Sequence, residues 1–312
     1  MRSTFINTLT SMAREDDRII CVIGDTGYSV FEDFEKEFGD RFVNVGIAEQ
    51  NFVSFGAGLA ALGLKPYIYN VVSFMTLRGM EQILLDICYQ ENPVVIIGVG
   101  GGFAYATAGP THHALHDIAM MSEIPNMTVV CPGDPTEMRE AMLASRDFGK
   151  PMYIRIGRSV DPVVHESDIS FQIGKSIRMT DGFQATVYAT GVMLSEAVKA
   201  QKLLSDKGFS VGLVSMPTIK PVDPEPIIED IKNGRAIYTV EEHSIIGGLG
   251  DAVGRVILDN VQFPVRDFKK FGVFDEFAKV TGTREYLDSL YGLTATNIAE
   301  TITHRLIRCC CE

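Results

Sequence analysis

The fold is decided by residues 47–99, IAEQNFVSFGAGLAALGLKPYIYNVVSFMTLRGMEQILLDICYQENPVVIIGV. This stretch contains two helical patterns, at 47–62 and 74–90, and each is followed by a short apolar, β-branched run, at 66–72 and 93–99. Strands that are apolar on both faces and alternate with helices are typical of a parallel sheet covered by helices on each side. The stretch therefore predicts α/β architecture.

The same alternation extends in both directions along the 312 residues. It is interrupted between residues 157 and 182, where no long helical period is present, and then resumes. The length is also typical of two domains. We predict an α/β protein with two domains, each a mostly parallel sheet flanked by helices: residues 1–165, a linker at 166–183, and residues 184–312.

Composition narrows the class of protein. Lys and Arg total 28 against 40 for Asp and Glu, which gives a net charge of −12. Nucleic-acid binding depends on neutralising phosphates and is disfavoured by this charge. The sequence shows no apolar run of 18 residues and no leader-like start, so we expect a soluble, cytoplasmic protein.

The six cysteines include no Cys-X-X-Cys pair, which disfavours a zinc ribbon or a redox motif. Three of them, Cys309, Cys310 and Cys311, end the chain, and we interpret them as a frayed tail of reduced thiols. Metal capture and palmitoylation are the alternatives for this tail.

Two glycine clusters are candidates for phosphate-binding loops. The first, GVGGGF at 98–103, follows an apolar run, but its sixth position is Phe103 and the next residues read as a loop, which disfavours a dinucleotide site. The second, GGLGDAVG at 247–254, lies at a helix start and indicates close packing around a backbone that suits anions.

Glu49 in GIAEQ falls in the first turn of a helix that is otherwise rich in Ala, Gly, Phe, Val and Leu. Its position alone is compatible with a simple helix-dipole partner. The apolar surroundings would also favour a protonated carboxyl, which could share a proton with a heterocyclic nitrogen. The first interpretation is structural and the second is catalytic.

The segment AGPTHHALHD at 108–117 places three histidines in a predicted loop, His112, His113 and His116. A metal site is disfavoured because the sequence offers no further ligand cluster. The alternative is that one histidine projects into a cleft as a hydrogen-bonding group while the others cap or face solvent. Loops at the carboxyl ends of parallel strands are where such sheets bind ligands.

Together, VGIAEQN, Phe74 in VVSFMTLRGMEQI, GPTHHALHD and IPNMTVVCPGDPTEM resemble the C-terminal half of transketolases, the relatives of deoxyxylulose-phosphate synthase. The later runs ATGVMLSEAVKAQKLLSDKGFSVGLVSMPTIKPVD and EEHSIIGGLG resemble the C-terminal domain of that family. The resemblance covers nearly all of residues 1–308. It implies a pyrimidine-binding domain followed by a transketolase C-terminal domain.

The family's diphosphate and magnesium site uses a GDG motif followed by Asn, in the N-terminal half. Here the Gly-Asp pairs read GDT, GDP and GDA. The resemblance therefore implies one subunit of a split transketolase, whose partner chain carries the GDG motif, the diphosphate and the Mg²⁺. It also implies a heterotetramer with two copies of each chain (α2β2).

For the cofactor, thiamine diphosphate, the resemblance implies three residues. Glu49 matches the glutamate that bonds N1′ of the aminopyrimidine, and Phe74 matches the aromatic residue that stacks on that ring. Asp25 in GDTGYS matches an acidic residue near the cofactor. Without the resemblance, Phe74 reads equally well as a core residue and Asp25 as a turn residue.

For the substrate, His112 matches the histidine that hydrogen-bonds sugar oxygens, so Glu49 and His112 are the implied catalytic residues. Arg2, Ser29 and Arg158 match positions that grip a distal phosphate. Guanidinium groups suit this role because they pair with phosphate oxygens in a bidentate manner. A lone arginine would otherwise be read as a solvated surface residue.

Two departures concern specificity. Ala108 stands where transketolases carry an acidic residue that contacts a donor hydroxyl, and Gly100 stands where the family often has a histidine near the phosphate. They leave the donor and acceptor open, including acyloin formation from a 2-oxoacid.

The prediction is a thiamine-dependent transketolase subunit of carbohydrate metabolism, which transfers a two-carbon ketol unit between phosphorylated sugars. A 2-oxoacid dehydrogenase β-subunit and a non-catalytic partner subunit are the alternatives.

Overall fold

The structure, a computed structural model, describes residues 1–158 and 161–308, so the three terminal cysteines lie outside the described residues. In this part of the chain the strands are β1 Ile19–Ile23, β2 Phe42–Asn44, β3 Lys65–Val71, β4 Val95–Val99, β5 Thr128–Val130, β6 Met152–Ile156, β7 Ile177–Thr180, β8 Ala185–Ala189, β9 Val211–Ser215, β10 Thr218–Lys220, β11 Ala236–Ser244 and β12 Phe268–Val273. The helices are α1 Arg2–Glu15, α2 Glu32–Phe38, α3 Glu49–Ala61, α4 Val72–Arg78, α5 Met80–Gln82, α6 Asp117–Glu123, α7 Pro135–Ser145, α8 Leu194–Asp206, α9 Glu225–Lys232, α10 Leu249–Leu258, α11 Arg284–Leu290 and α12 Ala295–Arg308. A π-helical turn, Ile83–Tyr89, follows α5. None of these helices is long and apolar enough to cross a membrane.

The first sheet has seven strands in the order β10-β5-β6-β4-β3-β1-β2. All neighbours are parallel except β10, which pairs antiparallel with β5 at one edge. Every residue of β1, β4 and β6 is buried, since helices cover both faces. This is the physical reason why these runs are apolar throughout.

The second sheet has five strands in the order β12-β11-β8-β9-β7, parallel except for β7 at the edge. The two sheets are joined by more than the chain between them. Strand β10 follows β9 of the second sheet but pairs with the first, and one hydrophobic core contains residues of both, such as Ile96 and Val214. The predicted fold class, two α/β regions with mostly parallel sheets flanked by helices, is confirmed.

The first sheet gathers the candidate residues at one edge. Asp25 follows β1, Glu49 follows β2, Phe74 follows β3, Gly100 follows β4 and Arg158 follows β6. Because these strands are parallel, their carboxyl ends lie along the same edge. Segments far apart in the sequence are therefore brought to one side of the sheet.

The helix predicted at 74–90 is divided in the structure. Helix α4 ends at Arg78, Gly79 lies at the junction, and α5 and the π-helical turn continue the chain. A side chain at Gly79 would lie 2.9 Å from the Met75 carbonyl oxygen and 2.9 Å from Cγ2 of Val53 in α3. Close packing of α3 against this junction thus explains the glycine.

Candidate functional site

Glu49 is the first residue of α3, and only 7% of its surface is exposed. Nη1 of Arg78, the last residue of α4, donates a hydrogen bond to Glu49 Oε1 over 2.6 Å. The Arg78 side chain is 54% exposed and shares an open cleft with Glu49, Gln50 and Asn51. The cleft is therefore lined by one buried carboxylate and one long cationic side chain, and sequence reasoning missed the latter.

Phe74 connects this ion pair to the histidine loop. The Arg78 guanidinium carbon lies 4.7 Å from the centre of the half-buried Phe74 ring. The His112 imidazole meets the same ring edge to face, with centroids 5.0 Å apart and planes at 71°. Three residues singled out from the sequence, Glu49, Phe74 and His112, are thus brought together through Arg78.

The three histidines have different surroundings. His112 Nδ1 is 2.9 Å from Thr111 Oγ1. His113 is buried, with Nε2 3.1 Å from the Ala106 carbonyl oxygen, and His116 is exposed beside Phe277. Across residues 1–158 and 161–308, no group of three or more His, Cys, Asp or Glu side chains could hold a metal ion.

Tyr105, in the loop after β4, extends the same set of contacts. Its ring centroid lies 5.9 Å from that of His112, and the Arg158 guanidinium carbon lies 4.6 Å from it. Burial raises the pKa of Tyr105, and the positive charges of Arg158 and Arg2 act in the opposite direction. We call the following residues the contact row: Glu49, Arg78, Phe74, His112, Tyr105 and Arg158.

Arg2 joins the end of the row that carries Arg158. It hydrogen-bonds the hydroxyl of Tyr69, whose pKa is raised by burial. The amino group of Met1 lies 3.2 Å from Asp161 Oδ2, which ties the start of α1 close to the segment that contains Arg158. The structure therefore places two of the three predicted phosphate-binding residues near Tyr105.

Asp25 and Ser29 lie in an exposed loop after β1, both with positive φ, 54° and 63°. Asn44 Oδ1 accepts hydrogen bonds from the N–H groups of Asp25 and Gly46, each over 3.0 Å, and so ties this loop to the approach to α3. The Ser29 N–H donates to Glu32 Oε1 over 2.7 Å. Within the described part of the chain, no hydrogen bond joins this loop to the contact row.

A buried arginine supports the histidine loop from behind. Arg155 in β6 donates to Asp117 Oδ2 over 2.8 Å and to the carbonyl oxygens of Ala114 and Glu242 over 2.8 and 3.0 Å. Arg155 and Asp117 are 5% and 2% exposed. One guanidinium thus connects the first sheet, the segment after His112 and strand β11 of the second sheet.

The second glycine cluster binds an anion that belongs to the chain itself. Glu241 accepts hydrogen bonds from the N–H groups of Leu249 and Gly250, at the start of α10, over 2.7 and 2.8 Å. Burial raises the pKa of Glu241 to about 7, and burial lowers the pKa of neighbouring His243 to about 4. The backbone at 247–254 is therefore used for internal packing.

Comparisons with known proteins agree along the whole chain. The family described as "Transketolase, pyrimidine binding domain" matches residues 1–161, and "Transketolase, C-terminal domain" matches residues 174–298. One of the two subunits of an apulose-4-phosphate transketolase from Phocaeicola vulgatus is 39% identical over 302 residues, covering 96% of this chain and 95% of that protein. The SqwH subunit of a 6-deoxy-6-sulfo-D-fructose transketolase from a Clostridium species is 32% identical, covering 98% and 95%.

Solved structures agree with these matches. A structure titled "Split gene transketolase, inactive beta4 tetramer" superposes with a TM-score of 0.90 at 34% identity and covers 98% of both chains. A transketolase from Pichia stipitis superposes with a TM-score of 0.81 at 21% identity, over 98% of this chain and 45% of that one, which shows a shared fold.

Proposed function

The chain belongs to the transketolase family, as the subunit that carries the pyrimidine-binding and C-terminal domains, and we propose that with a second chain it transfers a two-carbon ketol unit between phosphorylated sugars. The membership confirms the resemblance seen in the sequence. One observation carries the proposal: the contact row joins a buried carboxylate, an aromatic ring, a histidine and an arginine along one edge of a parallel sheet.

Thiamine diphosphate is the cofactor of this family, and the residues around the row fit its pyrimidine. Glu49 offers a carboxylate in a cleft, and Phe74 offers a ring at the surface of the core. Two buried hydroxyls beside the proposed ligands, Ser73 Oγ and Thr26 Oγ1, have no hydrogen-bond partner among the described residues. We propose that Glu49, Phe74 and Asp25 hold this group. When bound, it supplies the carbon nucleophile that accepts the ketol unit.

In this proposal Glu49 holds a proton shared with N1′ of the pyrimidine. A carboxyl at a buried site is suited to sharing a proton because ionisation there lacks the solvation that water gives. Arg78 neutralises Glu49 in the present arrangement, so the ring nitrogen and Arg78 compete for the same carboxylate. Glu49 therefore exchanges one partner for another when the cofactor binds.

His112 binds the sugar. Its Nδ1 is engaged by Thr111, which leaves Nε2 to hydrogen-bond a hydroxyl or carbonyl oxygen of the substrate. Arg2, Arg158 and Ser29 bind the distal phosphate in this proposal. The chain has a net charge of −12, so the attraction for an anion depends on these local groups.

A second chain completes the site. We propose that it carries the GDG motif, the diphosphate and Mg²⁺, and that the two chains form an α2β2 heterotetramer. Cytoplasmic location, a role in carbohydrate metabolism and the domain limits 1–165 and 184–312, with a linker at 166–183, stay predictions.

The test is to co-express the chain with a candidate N-terminal subunit and to measure ketol transfer with thiamine diphosphate and Mg²⁺. Glu49→Ala should lower kcat/KM at least about a thousandfold while assembly is retained, because it removes the proton at N1′. Glu225→Ala, at an exposed carboxylate in α9, should be unchanged. Normal turnover by Glu49→Ala would overturn the mechanism, and tight cofactor binding by this chain alone would overturn the two-chain site.

A further inference from the structure

Tyr105 occupies the space in which a side chain at Gly100 would project. Gly100 has φ +88°, and a Cβ built on it would collide with Cε2 of Tyr105. The ring is then held on its other sides by the Arg158 guanidinium and the His112 imidazole. The glycine and the tyrosine are therefore one packing unit, in which the absence of a side chain at position 100 makes room for the ring at position 105.

The hydroxyl of Tyr105 is available to a ligand. Within the described residues it has no hydrogen-bond partner, while the ring is only half-buried. Positive charge from both Arg158 and Arg2 reaches this hydroxyl. A phenol that keeps its proton beside two guanidinium groups adds an O–H donor to their N–H donors, and all three suit the oxygens of a phosphate.

We infer that Tyr105 is a specificity-determining residue, whose hydroxyl binds the distal phosphate of the sugar together with Arg2 and Arg158. The inference rests on the proposed function and names the anionic end of its substrate. The ring contributes separately, because it fixes the spacing between Arg158, which binds the phosphate, and His112, which binds the reacting end. Tyr105 thereby takes the place of the histidine that related enzymes often carry at position 100.

The inference is tested with a matched pair of acceptors, D-ribose 5-phosphate and D-ribose, in the two-chain complex. Tyr105→Phe keeps the ring and removes only the hydroxyl. We expect KM for D-ribose 5-phosphate to rise about tenfold, as for loss of one hydrogen bond to a charged group, with kcat unchanged. KM for D-ribose should not change. Tyr286→Phe, at a half-exposed tyrosine of the second domain, is the control.

Equal effects on both acceptors, or no effect on either, would overturn the role of the hydroxyl. A second measurement separates this failure from failure of the proposed function. Calorimetric titration of the chain with inorganic phosphate requires no ketol transfer, and Tyr105→Phe should weaken that binding about tenfold. Unchanged phosphate affinity would refute the inference even if ketol transfer is found. Weakened affinity without ketol transfer would support it and refute the activity alone.

Discussion

Arg78 donates a hydrogen bond to Glu49 over 2.6 Å, and the same guanidinium lies 4.7 Å from the centre of the Phe74 ring. The two groups proposed for the cofactor pyrimidine, a carboxylate and an aromatic face, are thus both covered by one arginine. Because the Arg78 side chain is 54% exposed, it can leave without disturbing the core. The arginine protects a buried charge until the cofactor arrives.

Removal of this competition should strengthen cofactor binding. Arg78→Met keeps a side chain over Phe74 but leaves the Glu49 carboxylate without its cationic partner, which favours the protonated carboxyl that the ring nitrogen needs. We expect thiamine diphosphate to bind the two-chain complex roughly fivefold more tightly, about 1 kcal/mol, in a calorimetric titration. Arg139→Met, at an exposed pair with Glu140, is the control and should have no effect. Weaker binding by Arg78→Met would show that Arg78 itself holds the cofactor.

Arg155 should be far more important for stability than the surface arginines. Arg155→Met leaves the buried Asp117 carboxylate unpaired and removes donors from two carbonyl oxygens. Breaking a buried pair in this way typically costs about 3–5 kcal/mol. Urea unfolding followed by circular dichroism should show a loss of this size, while Arg146→Met, with exposed partners, should lose less than about 1 kcal/mol. Equal losses would mean that the buried contacts contribute little.

The alternation of strands and helices predicted much of the fold. Helices α7 and α10 begin and end where the sequence pattern places them, at Pro135–Ser145 and Leu249–Leu258. The parallel sheet then accounts for the clustering of motifs, because every motif follows the carboxyl end of a strand. Glu49, Phe74 and His112 could be selected from the sequence for this reason, although their roles stay proposals.

Features that depend on distant contacts could not be predicted. Strand β10 is three residues long and exists because it pairs with β5, and β7 within the predicted linker exists because it pairs with β9. Arg78 and Tyr105 carry no motif and gain their meaning from what they contact. One local signal was present for Tyr105, since the departure at Gly100 marks the space that its ring fills.

Two buried groups should give opposite pH dependences of stability. Glu241 keeps its proton up to about pH 7 in the folded chain against about 4.5 when unfolded, so the stability that it contributes is lost as pH rises through this interval. His243 is neutral down to about pH 4 when folded against 6.5 when unfolded, so its contribution is present above pH 6.5 and lost as pH falls. Each slope is about 1.4 kcal/mol per pH unit, and between pH 4.5 and 6.5 they oppose each other.

Glu241→Gln should therefore reveal the histidine. Relative to the wild-type chain, its unfolding free energy should gain about 1.4 kcal/mol for each pH unit between 4.5 and 6.5, whatever its absolute stability. Urea unfolding at several pH values measures this slope. The exposed Glu300→Gln should follow the wild type. Parallel curves for Glu241→Gln and the wild type would show that Glu241 is ionised in the folded chain at these pH values.

Gly102 should tolerate no side chain, because the second domain packs directly against it. Its φ is +65°, and a Cβ there would collide with the buried Glu242 carboxylate, which Arg284 holds over 2.7 Å. Gly63→Ala is a matched control, since Gly63 has φ +84° and nothing lies within 4 Å of its Cβ position. We expect Gly63→Ala to cost about 1 kcal/mol from backbone strain alone. Gly102→Ala should cost about 3 kcal/mol or more in urea unfolding, because it adds overpacking to the same strain. Equal costs for the two variants would mean that Glu242 moves away freely, and that the second domain does not fix the loop leading to His112.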